Sequence, residues 1–177
     1  MLLIPAVEAD YPAIIDLANL AYRGTGPSAS WNIENFIEGQ RLNDSLLREE
    51  LSAKPEAHLL TYRDAPDRPV LGTVWLDPGK DGVWYLGLLT IHPDLQKGKL
   101  GRSLLAAAED FARARGARRI QMTVVNVRDI LIAWYERRGY TLTGETRPFP
   151  YGDERFGRPT RDDLHFVVLT KDIEISK

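Results

Sequence analysis

Apolar residues first recur at helical steps at Ile14, Ile15, Ala18, Ala21 and Tyr22. That spacing puts them on one face and predicts a helix, with Asp10 as its N-cap and Pro12 in its first turn. Ahead of it, Leu2 to Val7 reads as a short buried strand punctuated by Pro5. Gly24 to Ser30 is rich in breakers. Ser30 or Asn32 caps a second predicted helical region, interrupted near Gly39, running to Leu51 and closed by Pro55. Strand signals follow at His58–Arg63, Val70–Leu76 and Val83–Ile91, separated by the turn clusters 64–69 and 77–82. Links this short predict an antiparallel meander. Helical spacing returns with Leu100, Leu104, Leu105, Ala108, Phe111 and Ala112, and Gly116 ends it. Arg119–Val125 is rich in β-branched residues and reads as a strand. Ile130, Leu131, Trp134 and Tyr135 mark a shorter helix that Gly139 stops. Tyr140–Leu142 begins another strand, Gly144–Asp163 is a long polar loop rich in Pro and Gly, and Leu164–Thr170 is the last strand.

The strand, helix and strand from Val83 to Val125 form a crossover unit, so those two strands are expected to be parallel. Helices, a meander and then a crossover predict a mixed α/β layered domain. A length of 177 residues fits one domain, 1–177, with a core large enough to need no staples. Composition narrows the function. There is no cysteine, which removes disulfides, thiolate metal sites and a Cys nucleophile. His58, His92 and His165 lie far apart, and no pair has metal-ligand spacing, so no metal is expected. A net charge of −2 argues against nucleic acid or an anionic membrane as a partner. The first residues lack the basic start and long apolar core of a signal peptide, and no apolar run approaches the ~20 residues that span a bilayer. A cytoplasmic protein is the expectation.

One segment carries chemistry. Thr90 to Leu105 joins a buried strand to an amphipathic helix. Gly98 and Gly101 let the backbone turn sharply, and the next helix aims its free amides and dipole at the loop. Lys97, Lys99 and Arg102 add positive charge there. Glycines for turning and bases for solubility are the plainer reading of the same residues. The convergence of amides, dipole and charge favours a phosphate or pyrophosphate site. Gly98 to Ser103 has the wrong order for a Walker A loop, and no dinucleotide Gly-x-Gly-x-x-Gly is present.

From Leu86 to Tyr140 the chain resembles the GNAT family of N-acetyltransferases. That family carries Gln/Arg-x-x-Gly-x-Gly/Ala between its fourth strand and third helix, after a hydrophobic strand and a Pro. Pro93, Gln96 and Gly101 match; Lys99 stands where the first Gly is expected, and Gly98 sits one residue earlier. Downstream the family shows an Asn, a helix ending in Tyr, then Gly-Phe/Tyr. Asn126, Tyr135 and Gly139-Tyr140 correspond. The gap from Asn126 to Tyr135 is two residues shorter than usual, which brings Arg128 into the register counted back from Tyr135.

The resemblance implies a mostly antiparallel sheet of six to seven strands with a central parallel pair and about four helices. It implies that acetyl-CoA lies between the splayed fourth and fifth strands. Backbone groups of Leu89, Thr90 and Ile91 would pair with the pantetheine arm. Amides from Lys97, Gly98, Lys99, Leu100, Gly101 and Arg102, preceded by Gln96, would hold the pyrophosphate, with Asn126 as a further contact. Tyr135 would give a proton to the departing thiolate; a packed aromatic is the alternative.

The reaction also needs a base, because an alkyl amine has a pKa near 10.4. Relatives often place a Glu on the fourth or fifth strand, and this chain has none from Val83 to Ile91 or from Ile120 to Val125. Glu34, Glu38 and Glu50 fall in the second predicted helical region. Glu34, beside Trp31 and Asn32, is the candidate, against a solvated helix face. His92 is a further option. In the 148–163 loop, Phe149, Tyr151 and Phe156 are expected to cover a pocket, and Asp153, Glu154, Asp162 and Asp163 to draw in a cationic amine. A packed loop or a dimer contact is the other reading. The expected activity is acetyl transfer from acetyl-CoA to a primary amine of a small molecule, amino acid or peptide. The alternatives are a non-catalytic acyl-CoA-binding regulator and a nucleotide-binding domain. Relatives are often dimers, which leaves a homodimer open.

Overall fold

The computed structural model describes residues 1–25 and 29–174, so part of the 24–30 loop lies outside the described residues. Among the described residues nine strands form: β1 (Ile4–Pro5), β2 (Ile37–Glu38), β3 (His58–Tyr62), β4 (Gly72–Pro78), β5 (Val83–Ile91), β6 (Arg119–Val125), β7 (Thr141–Pro148), β8 (Arg158–Pro159) and β9 (His165–Asp172). Four α-helices accompany them: α1 (Tyr11–Arg23), α2 (Asp44–Ala53), α3 (Leu100–Arg113) and α4 (Asp129–Glu136). Seven strands make one sheet in the order β1-β3-β4-β5-β6-β9-β7, and β2 pairs with β8 in a small separate ladder. Only the β5–β6 pair in the large sheet is parallel; its other pairs are antiparallel. The predicted meander, crossover and layered α/β class are all present.

Alternation along the strands sets the layers. Leu60, Val74 and Leu76 join Leu104, Leu105 and Ala108 of α3 in one core. Their neighbours Leu59 and Trp75 join Ile14, Leu17 and Ala18 of α1 and Leu46 and Leu47 of α2 in a second. The sheet is therefore covered on both faces. Each fully buried Leu or Ile contributes about 1.5–3 kcal/mol.

Three expectations need correction. The first strand is two residues long, not six. The helix expected from Ser30 or Asn32 begins only at Asp44, where Asn43 Oδ1 accepts the Leu46 amide at 2.9 Å. Residues 30–43 instead make several backbone hydrogen bonds to other elements. The Glu34 amide donates to Tyr22 O, and Ile37–Glu38 pairs with Arg158–Pro159. The 144–163 segment is also more ordered than a loop: β7 runs on to Pro148, and a 3-10 turn at Glu154–Phe156 leads into β8.

Candidate functional site

The parallel pair opens the site. β5 and β6 are bonded only from Val83 to Tyr85 against Arg119 to Gln121. Beyond Tyr85 they part, and the rest of β5 faces a gap. The register of β5 on β4 slips between Thr73 and Trp75, so β5 carries one extra residue there. Leu88 takes it up with φ +50, in the left-handed region that a branched side chain rarely enters. Thr90 Oγ1 donates to Leu88 O at 3.1 Å and braces the bulge. The strain sits where the two strands separate, and it re-aims the backbone of Leu88 and Leu89.

At the far end of β5, a 3-10 turn over Pro93–Gly98 leads into α3. Lys99 links the two at φ +62 and ψ 11. The left-handed residue is thus Lys99, the position where a Gly was expected, while Gly98 lies in open space. A cavity beside this loop is lined by Leu89, Ile91, Gln96, Lys97, Lys99, Gly101 and Arg102, and on its other side by Arg128, Leu131, Trp134, Tyr135 and Arg138. The Arg138 guanidinium lies 3.7 Å over the Trp134 ring, and its Nε is buried without a partner among the described residues. Lysines and arginines crowded around one cavity, with an unpaired guanidinium nitrogen among them, fit a ligand that brings phosphates. Gln96 also ties the loop to the chain after α1. Its side-chain amide meets Ser30 Oγ at 2.9 Å, and its oxygen accepts from the Trp31 amide at 3.3 Å.

A second cavity, about 520 Å³, opens from the same gap. It shares Tyr22, Leu89, Arg128, Leu131 and Tyr135 with the first. Tyr135 therefore faces both. Burial is the main cause that pushes its hydroxyl above the ordinary tyrosine value, and Tyr22 adds to the effect. Such a phenol keeps its proton at neutral pH.

Other expected residues stand differently. Glu34 is not on a helix and not solvated. It is 6% exposed, with Oε1 3.3 Å from Arg23 Nη2 and Oε2 3.6 Å from Arg128 Nη1. It bridges two guanidiniums as their counterion. Arg128 also donates to Asn32 O at 2.5 Å, so Trp31 and Asn32 are held against the first cavity. Asn126 turns elsewhere. Its side chain donates to Asp163 O at 3.1 Å and accepts from the His165 amide at 3.0 Å, anchoring the start of β9. Arg128, not Asn126, lines the gap, in keeping with the count back from Tyr135. Glu38 lies on β2, and His92 Nδ1 accepts the Asp94 amide as a turn cap.

Glu50 on α2 faces the second cavity and has no hydrogen-bonded partner for its carboxylate among the described residues. Burial, the largest cause, raises its pKa above the usual carboxylate range against the pull of Arg41 and Arg155. Phe149 and Phe156 line this cavity as expected, but Tyr151 is exposed, with its hydroxyl donating to Arg161 O at 2.8 Å. The loop acids do not look inward. Asp153 pairs with Arg155 at 2.9 Å, Asp163 with Arg161 at 2.6 Å and Glu154 with Arg158 at 3.9 Å. Sequence reasoning missed the inward cations Arg23, Arg41 and Arg147. No local pattern marks them, because three distant segments bring them together.

Comparison with known proteins agrees with this geometry. Residues 12–140 match the model of the acetyltransferase (GNAT) family. The probable N-acetyltransferase camello of Xenopus laevis is 33% identical over 76 residues, which span 42% of this chain and 35% of that protein. Among solved structures, the ribosomal-protein-S18-alanine N-acetyltransferase of Escherichia coli superposes with a TM-score of 0.67 at 17% identity, covering 99% of this chain and 96% of the other. An aminoglycoside 6'-N-acetyltransferase complexed with coenzyme A gives 0.67 at 18% identity, covering 100% and 99%. At such identities the two structures speak for the fold alone. No described helix is long and apolar enough to cross a membrane.

Proposed function

Because the chain belongs to the acetyltransferase (GNAT) family, we propose that it moves the acetyl group of acetyl-CoA onto a primary amine of a small molecule, amino acid or peptide. The carrying observation is the gap between β5 and β6, with a basic loop at one end and Tyr135 between two cavities. Acetyl-CoA supplies an activated acetyl thioester. Backbone groups of Leu89, Thr90 and Ile91 bind the extended arm as a further strand would. The amides from Lys97 to Arg102 hold the pyrophosphate, helped by the cations of Lys97, Lys99, Arg102 and Arg138. The amide of Leu89, re-aimed by the bulge, donates to the carbonyl oxygen as charge develops on it. Tyr135 gives its proton to the departing sulfur.

Glu50 is the better base. Glu34 is committed to Arg23 and Arg128, whereas Glu50 lines the second cavity, where the amine would enter, without a partner among the described residues, and the upward push of burial on its pKa makes it a stronger base. The amine nitrogen bonds to the carbonyl carbon, the carbon–sulfur bond breaks, and Glu50 takes the amine's proton directly or through water. Glu50→Gln should lower kcat at least tenfold and remove the acid limb of the kcat/KM profile, since the base acts only when deprotonated. An unchanged acid limb would show that another group takes the proton.

The reaction is tested by measuring free thiol released from acetyl-CoA over a panel of primary amines. Release that depends on the amine is expected. Stabilisation by CoA with no turnover of any amine would favour an acyl-CoA-binding regulator instead. The same unit, residues 1–177, is proposed to act in the cytoplasm.

A further inference from the structure

The acceptor cavity is cationic. Its lining includes four arginines, Arg23, Arg41, Arg128 and Arg147, against two carboxylates, Glu34 and Glu50. Glu34 is already shared by Arg23 and Arg128. Arg147, at the outer end of β7, pairs with Glu145 at 3.2 Å. Arg41 is left. It makes no ion pair among the described residues, and its Nη1 is buried without an acceptor. Its guanidinium stands 5.5 Å from the Tyr22 ring centroid and 5.4 Å from that of Phe156, one ring from α1 and one from the loop after β7. Two aromatic faces hold the plane in place, and the cation gives the cavity a fixed donor set. With no carboxylate partner and no side-chain hydrogen bond among the described residues, the guanidinium that lines the cavity keeps donors to offer an incoming anionic oxygen. Burial and the positive charge of Arg41 and Arg128 both push Arg23 down from its ordinary value, against the pull of Glu34. The crowding of positive charge is thus felt across the cavity.

We propose that Arg41 is the anchor for a carboxylate on the acceptor, so that the substrate is a small amine that also carries an acid group. This rests on the acetyl-transfer reading above and names its substrate class. Arg41 and Glu50 line the same cavity, so one molecule can present its carboxylate to the first and its amine to the second. The volume of about 520 Å³ suits a small acceptor. Polycationic acceptors are disfavoured, because the cavity sets four arginines against two carboxylates, one of them already shared by Arg23 and Arg128.

The test compares the common α-, β- and γ-amino acids with their carboxamides, and with spermidine and kanamycin, at saturating acetyl-CoA. Thiol release gives kcat/KM. Thermal shift with CoA present gives binding of the same compounds without chemistry. The best acid is expected to exceed its amide about 10- to 100-fold in kcat/KM, the scale of one charge-assisted contact. Arg41→Gln should erase that ratio by raising KM for the acid; any effect through Glu50 falls on acid and amide alike and cancels in the ratio, and CoA binding should not change. Arg41→Lys should restore part of it. Amides or polyamines used as well as acids would overturn the proposal and leave acetyl transfer standing. An acid preference that survives Arg41→Gln would also overturn it. Should no amine turn over, the thermal shift still decides: no stabilisation by any acid beyond its amide rejects the anchor. CoA binding alone then tells whether the cofactor site survives. If Arg41→Gln does not fold, the acid-to-amide ratio of the unaltered protein carries the decision.

Discussion

Single residues in unusual states mark the site. Tyr135 is buried, holds its proton firmly and faces both cavities. Tyr135→Phe keeps the ring and its edge-on contacts with Trp134 and Tyr140, so the fold should survive. Turnover should fall at least tenfold, with little change in the KM for acetyl-CoA; steady-state kinetics and a thermal melt read both. Unchanged turnover would remove the acid role. Lys99 poses a different question. Its φ of +62 costs about 1–2 kcal/mol for an L side chain, and the extra chain entropy of a Gly takes back about 0.5–1 kcal/mol. Lys99→Gly should therefore hold or slightly raise Tm. Loss of the cation should weaken CoA binding a few-fold at low salt and less at high salt. A fall in Tm of more than about 4 °C would show that contacts of the Lys99 side chain outweigh its backbone strain.

At the scale of elements, the small β2–β8 ladder is the joint that holds the loop after β7 over the second cavity. Gly157 sits at its entrance with φ +108. A Cβ there would stand 2.6 Å from Glu38 O and 2.7 Å from Ile37 Cγ2, and it would also strike the Arg23 guanidinium. Arg23 donates to Gly39 O at 3.0 Å and Phe156 O at 2.7 Å, so one clash disturbs both sides of the joint. Gly157→Ala should cost about 1–3 kcal/mol and raise the acceptor KM while leaving CoA affinity near its starting value. Equal losses in both would mean that the joint supports the whole gap. This joint is not legible in the sequence. Strands β5 and β6 are legible to the residue, β5 as an apolar run bounded by a turn cluster and a Pro, and β6 by its β-branched residues after Gly116. Their crossover and the basic loop are legible for the same local reasons. Residues 30–43 read as helix although they form none, because Ser30 and Asn32 look like N-caps, whereas the cap that starts the helix is Asn43. The partners of Ile37–Glu38, Arg158–Pro159, lie far along the chain. Glu34 stands out in the sequence for its neighbours Trp31 and Asn32. Its burial between Arg23 and Arg128 depends on contacts no local window contains. The bulge at Leu88 is silent too, since nothing in a run of Leu residues announces a positive φ.

Over the whole molecule, charge is sorted in a way that composition hides. The net charge is −2, yet acids of the long loop pair with that loop's own arginines while cations face the gap. Burial sorts the tyrosines as well. Tyr22, Tyr135 and Tyr140 are all pushed upward by burial first, and Tyr140 also by Glu109, whose carboxylate accepts its hydroxyl at 3.0 Å. A group whose folded pKa is raised binds its proton more tightly when folded. The stability tied to that proton is complete below the unfolded value, about 10 for tyrosine, and is lost as pH climbs from there toward the folded value. Urea unfolding should therefore give a flat stability from about pH 7 to 9 and a steep fall above about pH 10. Tyr140→Phe should flatten that fall, because it removes an ionisable group that is buried in the folded state. The same substitution leaves Lys171 bonded to Glu109 at 2.9 Å, so the carboxylate keeps a partner and the neutral-pH loss should stay near about 1 kcal/mol. A curve that falls as steeply in Tyr135→Phe and Tyr140→Phe as in the unaltered protein would assign the alkaline transition to other groups.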